Sequence, residues 1–467
     1  MVQLNQNFIN SIAQEMPSHL SMDDFIHYCG LPLRPAIRVN TLKISADALK
    51  AILEPRGWQF AAIPWCKDGF WVSYPDDCQP GNLVEHIQGL FYIQEASSMM
   101  PPAALMFGED SKPAMLLDVA AAPGSKTTQL AALMDNQGLI LANEYSASRT
   151  KVLAANLQRM GVVNTAMTNF DGRVFGSYLF ETFDAILLDA PCSGEGTVRK
   201  DPLSLKHWDL AEIESIAALQ RDLIDSAFQA LKPGGVLIYS TCTLNRQENQ
   251  AVCHFLKARY GDAVEFESLA NLFDGTDKSL TEEGFLHIWP QIYDSEGFFV
   301  ARLRKTRAVL RNTDDPNYRA KFPFTPAAPK PRQALAEALA SLGLSLPKDA
   351  SVLMRDDEFW LVPDGLLALT ERIRLQRIGL KLAENHKHGI KIRHEAVMSL
   401  SCNKLWPVSD EAAKAYLMGR DVAIDGTKAL GEQILSLHGA PLGLAKHLGN
   451  KLKNNLPREL CRDNVQS

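Results

Sequence analysis

The sequence predicts an α/β protein organised on an open, largely parallel, Rossmann-like sheet, and three observations carry that reading. Between residues 111 and 305, short apolar runs alternate with amphipathic stretches, the order expected of βαβ units. A turn of small residues, Ala120-Ala121-Ala122-Pro123-Gly124-Ser125, joins the first of these runs to a helix. Two later runs each end on a cysteine motif, Asp189-Ala190-Pro191-Cys192 and Ser240-Thr241-Cys242-Thr243. Ligands of such sheets sit beyond the carboxyl ends of the strands. Both thiols and the Asp189 carboxylate are therefore expected in one crevice.

Taken in order, residues 1–110 form a small α/β region with an extended segment at 34–40. Strands are expected at 115–119, 139–143, 165–168, 183–188 and 236–239, with helices at 127–134, 147–160 and 210–231. The breaker cluster Lys232-Pro233-Gly234-Gly235 stops the last helix. A helix at 245–259 and two extended runs, 285–289 and 298–304, follow. The turn Asp294-Ser295-Glu296-Gly297 joins those runs as a hairpin that closes the sheet antiparallel. Residues 306–332 read as a linker whose Pro-rich part is 317–332, and 333–467 as a smaller basic module of strands and helices.

A chain of 467 residues is too long for one core, and two to three domains are expected. Its 46% hydrophobic and 22% charged content is that of an ordinary globular protein. No signal peptide and no apolar run long enough to span a membrane is evident. The eight cysteines are scattered, without disulfide-framework or zinc-knuckle spacing, which suggests a reducing cytoplasmic setting and no metal. No apolar surface stripe argues against a monomer.

The net charge of −6 averages opposites. Lys plus Arg against Asp plus Glu is 6 to 12 over residues 1–110, 15 to 24 over 111–300, and 27 to 18 over 301–467. The last block is either incidentally basic or a footprint for a polyanion. Its densest stretch holds Lys446, Lys451, Lys453, Arg458 and Arg462.

The small-residue turn lets a ligand approach the backbone, and the helix start behind it favours an anionic group. Lys126 is placed to pair with a carboxylate. Glu144, at the end of the second strand, stands where a ribose-binding acid is expected, and Asp171 follows the third strand. Each feature alone is more often structural. Together they favour an adenosine-bearing cofactor held by Ala120, Ala121, Ala122, Pro123, Gly124, Ser125, Lys126, Glu144, Asp171 and Asp189. A phosphate-binding P-loop is excluded because Ser125, not Gly, precedes Lys126, and GxGxxG is absent.

An unactivated thiol has a pKa near 8.5, roughly a few per cent thiolate at neutral pH, so a nucleophilic cysteine needs a cationic or helix-terminal setting. Cys242, between a strand and a helix, meets that need. Either cysteine taken alone reads as an inert buried residue, and a disulfide between them is disfavoured in a reducing cell.

Together, residues 118–126, Glu144, Asp171-Gly172, Asp189–Cys192 and Ser240–Thr243 resemble the RNA cytosine-5 methyltransferase family. Residues 89–98, Arg38-Val39-Asn40-Thr41 and Gly297-Phe298-Phe299 extend the likeness to roughly 20–305. Family members often carry a Cys where this chain has its alanine run. The resemblance implies a seven-stranded class I methyltransferase sheet and S-adenosyl-methionine as cofactor. It also implies Cys242 as the nucleophile adding to cytosine carbon 6, Asp189 on the base, and Cys192 in proton removal or product release. From the residues alone the two thiols could exchange roles.

Residues 437–446 and the basic tail are similar to the PUA-like RNA-binding extension of one bacterial branch, whose members methylate 16S rRNA of the small ribosomal subunit. Arg38 and Asn40 are candidates for RNA contact, against the simpler reading of solvated residues. The competing functions are the same chemistry on tRNA or another rRNA, and an RNA-binding ribosome-assembly factor.

Overall fold

The computed structural model describes residues 4–467 apart from 202, 207, 315, 317–320, 348–350, 388 and 425–429. The first four residues of the Pro-rich 317–332 stretch thus lie outside the described residues.

Seven strands make the body of the central sheet: β1 (Met115–Asp118), β2 (Leu139–Asn143), β3 (Thr165–Thr168), β4 (Phe183–Asp189), β5 (Leu231–Thr241), β6 (Val264–Glu267) and β7 (Phe298–Lys305). Their order is β6-β7-β5-β4-β1-β2-β3, and β7 alone runs against its neighbours. The expected seven-stranded sheet is present, and two short strands widen it to nine. Leu286–Ile288 pairs with β7, and Arg377–Ile378, from the C-terminal third, pairs antiparallel with β3. The inner strands β1, β2 and β4 are largely apolar because both faces are covered. Leu117, Leu141, Ile186 and Tyr239 enter one core, while Leu116, Ile140, Leu187 and Ile238 enter the other.

Helices α1 (Ser125–Leu133), α2 (Ala147–Met160), α3 (Leu210–Ala230) and α4 (Gln250–Tyr260) supply those covers. Three expected boundaries move. Helix α1 starts at Ser125 because Gly124, at φ 106°, turns the chain directly into it. Helix α4 starts at Gln250 rather than 245. Asn245 and Glu248 are engaged with each other, through Glu248 N to Asn245 Oδ1 at 2.8 Å and Asn245 Nδ2 to Glu248 Oε1 at 2.7 Å. Strand β5 starts at Leu231 rather than 236, and Lys232-Pro233-Gly234-Gly235 is a bulge between the pairs Phe183–Leu231 and Ala185–Val236.

The N-terminal region carries a four-stranded sheet with Ala36–Val39 inside it, between Cys66–Ser73 and Phe91–Ile93. The C-terminal third builds two five-stranded sheets instead of a single module. The stretch read as a linker contributes to the first of them. It holds the edge strand Thr325–Pro326 and opens the helix Pro329–Ser341, where a proline in the first turn sacrifices no hydrogen bond. The second sheet leans on the N-terminal region, where Gln88 Nε2 donates to Ala440 O at 2.9 Å. Among the described residues no helix is long and apolar enough to cross a membrane.

Candidate active site

The crevice follows from strand order. β4 and β5 are parallel neighbours in which Asp189 pairs with Ser240, so the loops leaving their carboxyl ends start side by side. Cys192 Sγ and Cys242 Sγ, in those loops, lie 3.1 Å apart with both thiols free. Asp189 accepts from Lys126 Nζ at 2.7 Å and from Ser240 Oγ at 2.7 Å. Burial works against the Lys126 charge, but Asp189 and then Cys242 outweigh it and raise its pKa. The Cys192 thiol is pushed well above its ordinary range by its hydrogen bond to Cys242, by burial and by the charge of Cys242.

Two glutamates that sequence reasoning missed hold these loops together. Glu195 is fully buried. It accepts from Trp208 Nε1 (2.6 Å), Thr243 Oγ1 (2.7 Å), Asn245 N (2.9 Å) and Leu244 N (3.0 Å). Glu248 accepts from Ser193 N at 3.0 Å and Gln220 Nε2 at 2.8 Å. Burial pushes its carboxyl up while these donors pull it down. Gly196 N donates to Cys242 O at 2.9 Å, which ties the turn after β4 to the thiol-bearing turn after β5. Gly196 packs so closely on Gly297 that a Cβ there would stand 2.1 Å from the Gly297 carbonyl oxygen. The only sequence signal for Glu195 and Glu248 is their place within six residues of a candidate cysteine.

The cofactor loop leaves β1 beside this pair. Asp118, 1% exposed, accepts from Thr127 Oγ1 at 2.7 Å, and burial first, with Asp189 adding, raises its pKa to about 7. Ala121 N donates to Asn143 O at 2.7 Å, and Asn156 Nδ2 donates to Pro123 O at 2.8 Å. Asn143, also missed, ties the loops after β1 and β3 through Val119 O and Phe170 O, both at 2.9 Å. Glu144 is buried. One of its oxygens accepts from Ser146 N at 2.8 Å; the other takes no hydrogen bond, and Arg149 stands 3.5 Å away. Asp171 is turned onto Arg173, whose hydrogen bond lowers its pKa. Ala120, Ala122 and Ser125 complete the turn. The sequence candidates therefore lie round one crevice, with Lys126 committed to Asp189.

Arg38 and Asn40 are corrections. Neither is available to RNA, being 2% and 0% exposed. Arg38 donates to Gln94 Oε1 at 2.9 Å and Thr128 Oγ1 at 2.8 Å, which braces α1 from the N-terminal region. Asn40 Nδ2 donates to Gly89 O and Met160 O, both at 2.8 Å. Among the described residues no cluster of His, Cys, Asp and Glu is arranged to hold a metal.

Comparison with known proteins identifies the family. The profile described as 16S rRNA methyltransferase RsmB/F matches residues 105–304. Profiles for the RsmF N-terminal, pre-PUA and PUA domains match 4–96, 324–400 and 404–462. Ribosomal RNA small subunit methyltransferase F of Shewanella amazonensis is 74% identical over 468 residues, covering 100% of both chains. The chain belongs to the ribosomal RNA small subunit methyltransferase F family. The Shewanella loihica member is 63% identical, covering 100% of this chain and 97% of its own. Among solved structures, a methyltransferase homologue from Pyrococcus horikoshii is 34% identical with a TM-score of 0.53, covering 65% of this chain and 100% of that one. NSun6 from the same organism, solved with SFG, shares the fold at 24% identity and a TM-score of 0.56, covering 65% of this chain and 99% of that one. The sheet, the enzyme class and the family are thus those expected from the sequence.

Proposed function

We propose that the chain transfers a methyl group from S-adenosyl-methionine to carbon 5 of one cytosine in 16S rRNA through a covalent bond between Cys242 and the base. The observation that carries this reading is the pair of free sulfurs, 3.1 Å apart, beside the Lys126–Asp189 ion pair. Two thiols alone would equally suit dithiol redox chemistry. The carboxylate, the ammonium and the small-residue turn beside them favour addition to a base next to a bound cofactor. Substrate identity rests on the family.

The residues present fit the cofactor. Glu144 keeps one buried oxygen without a hydrogen bond, which suits a ribose hydroxyl. Gly124 sits at φ 106°, which side chains rarely adopt, and keeps the turn small where it enters the helix. Residues 120–126, Glu144, Asp171 and Asp189 would hold it. S-adenosyl-methionine supplies an electrophilic methyl group at this place.

Cytosine carbon 5 is a weak nucleophile within the aromatic ring. Cys242 overcomes this as a thiolate: its sulfur bonds to carbon 6, and the carbon 5–carbon 6 π pair is displaced towards carbon 5, which takes the methyl group. Asp189 hydrogen-bonds the polar edge of the base and balances charge as it develops there, held in place by Lys126 and Ser240. Cys192, once it has given up its own proton to solvent, takes the carbon 5 proton as a thiolate. The C–H pair re-forms the double bond, and Cys242 departs with the carbon–sulfur pair. Cys192 is suited to this order of events. Its high pKa is due first to Cys242, and that cause is removed once Cys242 Sγ is bonded to carbon.

The base must leave any stack to reach Cys242, at roughly a few kcal/mol. Phosphate contacts by the exposed cations of the C-terminal tail, Lys446, Lys453, Arg458 and Arg462, offset that cost and make binding depend on salt. Covalent trapping of 16S rRNA by the wild type, Cys192→Ala and Cys242→Ala on adduct-preserving gels tests the roles. Adduct that accumulates with Cys192→Ala and is missing with Cys242→Ala is the expected result. The reverse pattern exchanges the two thiols, and no adduct on 16S rRNA, 30S particles or tRNA defeats the covalent mechanism.

A further inference from the structure

Away from the crevice, all parts of the chain meet around a second cavity of about 150 Å³. It is walled by Gln88 of the N-terminal region, α2, the short helix His394–Ser399 and the last sheet. Leu417, Leu442, Leu456 and Leu460 line it together with Arg159 and Arg462. Gln88, 1% exposed, keeps its Oε1 without a hydrogen bond.

Cations gather here without acids. Arg159 is lowered to about 10, by burial first, with Tyr92 opposing and Arg462 adding. Burial and then Arg159 bring Lys43 to about 7. Burial, Arg159 and Arg462 all depress His86, which a hydrogen bond to Gly81 only partly offsets. Lys43 and Arg159 direct their donors to neutral oxygens: Gln88 O for Lys43 (2.7 Å), and His86 O (2.8 Å) and Asn156 Oδ1 (3.2 Å) for Arg159. Among the described residues none of Lys43, Arg159 and Arg462 forms an ion pair, and Arg462 is exposed. Unpaired cations that repel one another are stabilised by an anion.

We propose that this junction binds one unstacked nucleotide of the RNA substrate, with its base against the leucines and its phosphate between Arg159 and Arg462. The proposal rests on the reading of the chain as an RNA methyltransferase. An apolar wall with a few polar groups suits a small planar ligand, and unpaired bases are the usual means of specific RNA recognition. The cavity has room for a small ligand. The lining carries Arg159 and Arg462 and no acidic side chain, which favours an anionic ligand.

The test measures binding of full-length protein to a fluorescein-labelled single-stranded RNA of about 12 nucleotides and to a duplex of equal length, at about 50 to 200 mM salt. Ala155→Phe fills the cavity without changing charge, Arg462→Glu reverses the rim, and Lys453→Glu reverses an exposed cation of the same sheet outside it. Ala155→Phe is expected to weaken single-strand binding about fivefold and leave the duplex unchanged. Arg462→Glu is expected to weaken it about tenfold and to lower the salt slope by about one more than Lys453→Glu does.

Wild-type affinity in Ala155→Phe, or equal effects of Arg462→Glu and Lys453→Glu, overturns the pocket and leaves the methyltransferase reading standing. Displacement of the RNA by micromolar nucleoside monophosphates overturns it in favour of a free nucleotide. A wild type that binds neither RNA overturns the RNA reading itself. Arg462 is exposed and its reversal leaves the fold intact, so the test survives if Ala155→Phe folds poorly.

Discussion

Glu195→Gln tests how the two thiols are held together. Four donors converge on this buried carboxylate, two of them the backbone N–H groups of Leu244 and Asn245, next to the Cys242 turn. Hydrogen bonds to a charged group contribute about 1.5–3 kcal/mol and neutral ones about 0.5–1.5, so loss of the charge costs about 1 kcal/mol per bond. An amide nitrogen must also take the place of one oxygen and face a donor, which adds about 1–3 kcal/mol. The sum is about 6 kcal/mol. For a domain of this size it lowers Tm by roughly 10–20 °C.

Calorimetry reads the first effect. The rate of RNA adduct formation, taken well below the variant's Tm, reads the second. That rate should fall about a hundredfold if the glutamate also sets the separation of the sulfurs, because a displacement near 1 Å is enough. Thr243→Val, which removes one donor of the four, should show a fraction of both losses. A variant that melts within about 2 °C of the wild type and forms adduct at the wild-type rate would refute the clamp.

Three further outcomes follow from the geometry. Oxidation of the free protein with diamide should join Cys192 and Cys242, whose sulfurs need close only from 3.1 Å to a bond of about 2 Å, and dithiothreitol should restore trapping; mass spectrometry finding both thiols intact after excess oxidant would contradict their proximity. Gly196→Ala should destabilise by about 3 kcal/mol or more, read by urea unfolding, because its Cβ would meet the Gly297 carbonyl at 2.1 Å with backbone on both sides; unchanged stability would show that the contact is loose. Asp118 and Glu15 are raised by burial to about 7 and Glu296 is raised by burial and Glu95, so their contribution to stability is present below the ordinary carboxyl range and lost as pH rises through about 7. For Asp118, from 3.8 to about 7, the upper bound is about 4 kcal/mol; Tm should fall between about pH 4 and 7, and Glu296→Gln should flatten that fall.

What the sequence reveals depends on whether the signal is local. Strands β1, β2 and β4, and the 236–239 part of β5, are legible because two buried faces make a largely apolar run. β6 is not, since Val264-Glu265-Phe266-Glu267 is a short edge segment with two acids. Arg377–Ile378 is invisible because a two-residue strand is defined by its partner, β3, which is remote in the chain. In the site, the thiols and the small-residue turn announce themselves by motif. Arg38 misleads because a charged residue in an extended run is normally solvated, and its partners Gln94 and Thr128 are distant in sequence. Glu195 and Glu248 look like loop acids until the turns they bridge are seen together.

The strand Arg377–Ile378 does more than cover an exposed edge. A recognition domain on a tether lets an enzyme sample a volume, and the tether's length sets the local concentration. Here the C-terminal third is stitched into the same sheet whose far ends carry the sulfurs. Its span to the crevice is fixed in length and direction. On the proposed RNA reading, such a span works as a calliper: an RNA held at the outer jaw would present to the sulfurs the nucleotide lying at that set distance.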